Sequence, residues 1–149
     1  MKNWKLLLFW ASILFVCGSS KAETIITCSN LTGSTYYSYK GIVPKGKAGW
    51  MQDGIKGGKF ALSKDADDQL DILYTDATGR VVSSRQDGGT VVGIGSNPNS
   101  IVVMVNYPNT TVEVFHFSKI NDGTYELLFQ QTKYGMGVIN KAQTLRGTC

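Results

Sequence analysis

Beyond residue 22, apolar and polar positions alternate with a period of two through most of this chain. That spacing sends successive side chains to opposite faces of a β-strand. "TYYSYKGI" (35–42) puts Tyr37 and Tyr39 on one face, and "QLDILYT" (69–75) does the same for Leu70, Ile72 and Tyr74. "TIITCSNL" (24–31), "GKFALS" (58–63), "GRVVSSR" (79–85) and "TVVGIG" (90–95) read as further strands. So do "TTVEVFHFS" (110–118) and "TYELLFQQT" (124–132), all rich in β-branched and aromatic residues. "SIVVMVN" (100–106) differs, because 101–105 is apolar on both faces. It is expected to be covered on both sides or to cross the core.

The connections carry turn chemistry. "DATG" (76–79) closes on Gly79, "YPNT" (107–110) centres on Pro108 and Asn109, and "NDG" (121–123) supplies an Asp-Gly pair. Helical periodicity is missing, apart from one turn expected over Ser63–Gln69 with Ser63 as its cap. The pattern predicts an all-β fold: a single antiparallel β-barrel or sandwich built from hairpins, with the barrel favoured. Residues 100–132 should form a three-strand meander.

The first 22 residues break the alternation. "MKNWKLLLFWASILFVCGSSKA" has a basic start at Lys2 and Lys5, an apolar run over 6–16, and small residues Ser20 and Ala22 before a cleavage point. It reads as a signal peptide (1–22) preceding one domain (23–149), which places the protein in the periplasm or outside the cell. The apolar run is too short to span a bilayer. An alternative is lipidation at Cys17, which would anchor a structural envelope protein.

Cleavage changes the charge. Of 15 basic residues, Lys2, Lys5 and Lys21 depart, leaving 12 against 11 acidic ones, a net charge of +1. That balance gives no case for nucleic acid. It also leaves Cys28 and Cys149, which in an oxidising compartment are expected to pair and pin the two ends of the domain together. Such a bridge would fasten the first strand to the last segment, where a barrel or sandwich has loose edges.

The charge that remains is uneven. Residues 23–61 carry five lysines against Glu23 and Asp53, whereas 62–149 carry seven basic and nine acidic residues. Residues 39–60 read as a long, flexible, basic loop with one or two short strands, holding Lys45, Lys47, Lys56 and Trp50, with the tyrosines Tyr36, Tyr37 and Tyr39 just before or within it. Lysines beside an exposed aromatic suit another protein or an anionic envelope polymer. The competing reading folds Trp50 back onto the core.

Candidate chemistry is sparse. Asp65, Asp67, Asp68 and Asp71 cluster, but the loop lacks the central glycine and terminal glutamate of a calcium-binding hand, so it reads as a solvated acidic turn. His116 lies within an apolar strand and has no nucleophile motif beside it. Glu113 and Glu126 would serve as paired glycosidase carboxylates only if they faced each other. No catalytic residue, metal or cofactor is therefore assigned, and the expected function is non-enzymatic binding.

"TGSTYY" (32–37) is similar to the S-G-x-x-Y loop of bacterial periplasmic lysozyme inhibitors, with Thr32, Gly33 and Tyr36 in the matching places and threonine where that family has serine. The resemblance implies a small exported β protein whose loop plugs an enzyme cleft. "SSRQDGGTVV", "VNYPNTTVEVF" and "INKAQTLRGTC" resemble small exported bacterial β proteins of unknown function. The second similarity brings no activity with it, and the expected binding function is that of an inhibitor or immunity protein acting on an envelope-targeting enzyme.

Overall fold

The structure is a computed structural model that describes residues 23–135 and 139–149. The expected signal peptide, with Cys17 and its alternative lipid anchor, lies outside the described residues. Among the described residues, no helix is long and apolar enough to cross a membrane.

Among the described residues, nine strands form one antiparallel sheet: β1 Glu23–Tyr37, β2 Gly49–Lys64, β3 Leu70–Thr75, β4 Val81–Ser83, β5 Thr90–Asn97, β6 Ser100–Tyr107, β7 Thr111–Lys119, β8 Tyr125–Lys133 and β9 Lys141–Thr148. Their order is β4-β3-β2-β1-β9-β8-β7-β6-β5. The sheet curls into a half-barrel until β3 packs against β5. Arg85 bridges that approach, donating from Nε to the Leu70 carbonyl (2.9 Å) and from a terminal nitrogen to the Val91 carbonyl (3.1 Å).

The concave face carries the core. Phe60, Phe115 and Phe129 pack with ring centroids 5.0–5.3 Å apart. Leu62, Ile72, Val103, Val105, Phe117, Leu127 and Leu145 are buried around them. The expected 100–132 meander is present as β6–β7–β8 in continuous register. Its first turn places Asn109 at φ 62°, a left-handed position that asparagine tolerates. Val103 and Val105 of β6 are fully buried, while Val102 and Met104 on the other face are only half-buried. That strand is thus covered on one side, not both.

Four further expectations need correction. Residues 49–60 belong to β2, and only 38–48 form a loop between β1 and β2. The glycines and lysines that suggested a loop suit an edge instead. On β2, β3 reaches only Phe60–Lys64, so among the described residues the front of β2 has β1 as its one partner strand. The strand expected over 35–42 stops at Tyr37, because Gly41 adopts φ 64° and Val43 turns inward to 7% exposure. No helical turn forms over 63–69. Ser63 and Lys64 end β2, and the Asp65 carboxylate ties a tight turn by accepting from the Asp67 and Gln69 amides, each at 2.9 Å.

Lastly, the disulfide Cys28–Cys149 exists, but β1 and β9 are neighbours in the middle of the sheet. It therefore staples the centre, and the edges are β4 and β5. β9 itself was hard to foresee, since its inward positions are Gln143, Leu145 and Gly147, with only one large apolar side chain among them.

Candidate functional site

Strand parity sorts the predicted binding residues. Tyr36 and Trp50 are register partners on β1 and β2, and they meet edge to face on the convex side with centroids 5.5 Å apart. Trp50 is 71% exposed and Tyr36 40%, so the indole does not fold back onto the core. Beside the pair, the row continues through the small side chains Ala142 and Thr132 to Val112. A shallow trough of about 300 Å³ runs along this face, lined by Trp50, Val112, Val114, Ala142 and Thr144 among others.

The other predicted residues disperse. Lys45 and Lys47 sit exposed on a single 3-10 turn in the 38–48 loop, and Tyr39 is exposed in the same loop. Lys56 is exposed on β2, six residues beyond Trp50 and so about 20 Å further along the strand. Tyr37 points the opposite way, onto the concave face. Its hydroxyl donates to Asp53 Oδ2 at 2.8 Å, and its ring has the Lys141 ammonium 6.0 Å from its centroid.

That concave end is where sequence reading missed the most. In register across four neighbouring strands lie Glu113, Gln131, Gln143 and Thr35, followed one step outward by Thr111, Lys133, Lys141 and Tyr37. One step inward the same strands present Phe115, Phe129, Leu145 and Gly33. The inner face thus changes abruptly from aromatic to polar. The signal was present in "VEVFHF", where Glu113 shares parity with Phe115 and Phe117.

The polar rows are hydrogen-bonded. Gln131 Nε2 donates to Glu113 Oε1 at 2.6 Å, and Lys141 Nζ donates to Gln143 Oε1 at 2.6 Å. Thr35 donates to Asp53 Oδ2 at 2.9 Å. Burial opposes ionisation of Asp53, but hydrogen bonds from Tyr37, the Gly54 amide and Thr35, with the Lys141 charge, outweigh it and hold the carboxyl below its ordinary range. Burial pushes the Glu113 carboxyl up, and the Gln131 hydrogen bond and the Lys133 and Lys141 charges offset this only in part. Burial also draws the Lys141 ammonium down, against the pull of Asp53.

Glu113 and Glu126 do not meet. Glu126 is on the other face of β8, where Arg146 pairs with it at 2.7 Å. His116 lies on that convex side as well, half-buried opposite Val102 and Leu128. The acidic cluster is consumed by local bonds: Lys64 pairs with Asp68 at 3.1 Å, and Asp71 accepts from Ser83 and the Ile72 amide. No group of three or more acidic, histidine or cysteine side chains suited to a metal occurs among the described residues.

Residues 32–37, which resemble an inhibitor loop, are strand paired on both sides, to β2 and to β9. Thr32 and Tyr36 are its exposed residues, and Thr35 is buried. No protein-family model matches the chain, and neither does any curated protein or solved structure.

Proposed function

We propose that the protein is an exported, non-enzymatic binding module that holds another protein, in the manner of an inhibitor or immunity protein acting on an envelope-targeting enzyme. The observation that carries this reading is the Tyr36–Trp50 pair, packed at 5.5 Å and left open to solvent on the convex face. Tryptophan and tyrosine concentrate binding energy at protein interfaces, because a rigid aromatic loses little entropy when buried. Here each ring holds the other in place before any partner arrives.

Two features around the pair support a protein partner. The edge of β2 beside Trp50 has no strand on its outer side among the described residues, so its backbone can pair with an extended segment. The adjoining loop carries Lys45 and Lys47, both exposed, which favours an acidic surface opposite. In this reading the TGSTYY segment contributes through the Tyr36 side chain, not as a protruding plug.

The test is capture from envelope extract followed by titration of the isolated partner. Trp50→Ala and Tyr36→Ala should each weaken the complex at least tenfold. Lys45→Ala with Lys47→Ala should lower the association rate and its salt dependence. Undiminished affinity in the Tyr36→Ala/Trp50→Ala double variant overturns the reading.

A further inference from the structure

The concave face ends in a cavity of about 590 Å³, within the range of small-molecule sites. Phe60, Phe129, Tyr74 and Tyr107 give it aromatic walls, and Glu113 and Gln131 give it a polar floor. One buried acceptor there has no donor, and a carboxylate oxygen beside it is free to take one. Gln131 is 9% exposed, and its Oε1 is buried without a hydrogen-bond partner among the described residues. The neighbouring amide nitrogen is committed to Glu113 Oε1, which leaves the second carboxylate oxygen of Glu113 without a protein donor among the described residues. Glu113 also makes no ion pair there, unlike Glu126, Asp68 and Asp76.

We propose that this cavity binds a compact organic amine, its ammonium donating to Glu113 and Gln131 and its apolar body lying against Phe60, Phe129, Tyr74 and Tyr107. An orphaned buried acceptor is costly, and a carboxylate with no counter-ion more so. An ammonium satisfies both with its separate N–H bonds and adds attraction to the aromatic faces. At the rim, Asp76 is engaged by Arg80 at 2.9 Å and Asp87 accepts from the Tyr74 hydroxyl at 2.7 Å. Of the lining groups, Glu113 and Asp87 then stand against Lys133, while the nearby Lys141 ammonium is engaged by Gln143 and Asp53, so the lining favours a cation. The proposal concerns the face opposite the Tyr36–Trp50 pair and does not depend on it.

Titrating the purified, disulfide-intact protein with 2-phenylethylamine and with 2-phenylethanol tests it, because the two differ only in the group that donates. The amine should bind at least tenfold more tightly. Glu113→Gln should weaken the amine at least tenfold and leave the alcohol unaffected. In a ¹H–¹⁵N spectrum, the Gln131 side-chain amide should shift on adding amine, a measurement the unmodified protein allows whether or not the variant folds. Equal binding of amine and alcohol, absence of amine binding, or shifts confined to the convex face would each overturn it.

Discussion

Gln131 donates to Glu113 across 2.6 Å, from β8 to its register partner on β7, on the inner face of the sheet. The bond orients the carboxylate but leaves it without a counter-ion among the described residues. Burial therefore prevails over the Gln131 bond and the Lys133 and Lys141 charges, and the carboxyl titrates above the ordinary glutamate value of 4.5; Asp87 adds to the upward push. Between the unfolded and folded values the folded state holds a proton on Glu113 that the unfolded chain has already released, and above the folded value Glu113 is the carboxylate. Its contribution to stability is full below about pH 4.5 and is lost as pH rises through the folded value. Glu113→Gln removes that loss. Urea unfolding from pH 4 to 8 should show the variant gaining on the parent as pH rises, while parallel curves would refute the assignment.

The bridge between Cys28 and Cys149 closes a separation of 121 residues, yet it joins strands already side by side. Its effect falls mainly on the unfolded chain, where such a loop restricts the ends by about 4–5 kcal/mol in the chain-entropy picture. Cys149→Ser should cost on the order of that amount in urea unfolding. Because the β1–β9 ladder persists without the bond, circular dichroism of the variant in water should stay unchanged.

The meander β6–β8 could be read from the chain because each signal was local. Pro108-Asn109 and Asp122-Gly123 mark its turns, and the register between them is unbroken. The front of β2 could not, since its identity as a strand comes from β1 alongside rather than from its own glycines and lysines. Tyr36 and Trp50 fall in different predicted elements, a strand and a loop, and register alone joins them. The polar floor was the least legible part. Thr35 and Gln143 are 108 positions apart and meet only because β1 lies beside β9. Parity likewise separates Glu113 from Glu126, which sequence spacing left open.

Among the described residues, Arg85 is the one side chain that hydrogen-bonds both β3 and β5 across the gap in the curl, through the Leu70 and Val91 carbonyls. Its own backbone is fixed by the adjacent turn, where the Ser84 amide donates to the Ile72 carbonyl at 2.8 Å. Arg85→Ala should cost roughly 1–2 kcal/mol, the worth of charge-assisted bonds partly open to solvent. Hydrogen exchange should locate the loss: amides of β3 and β5 exchange faster while those of β7 and β8 do not. Uniform acceleration across the sheet would show that Arg85 does not act at the seam.

Gly33 on β1 is the register partner of Leu145 on β9. A Cβ there would run into the Thr144 carbonyl oxygen and lie 2.9 Å from the Leu145 Cα, both backbone atoms that cannot swing away. The glycine that suggested an inhibitor-type loop thus has a structural task, letting two central strands approach beneath the polar floor. Gly33→Ala must push β9 outward, disturbing Leu145 on one side and Gln143 on the other, and overpacking of this kind costs about 1–3 kcal/mol. Gly46→Ala is the matched comparison. Its Cβ meets nothing within 4 Å, and it sits in the 38–48 loop. That change should be neutral or stabilising by up to about 1 kcal/mol, since it restricts only the unfolded chain. Thermal unfolding of the two variants side by side decides the point, and equal melting temperatures would mean that the sheet accommodates a methyl group at its centre.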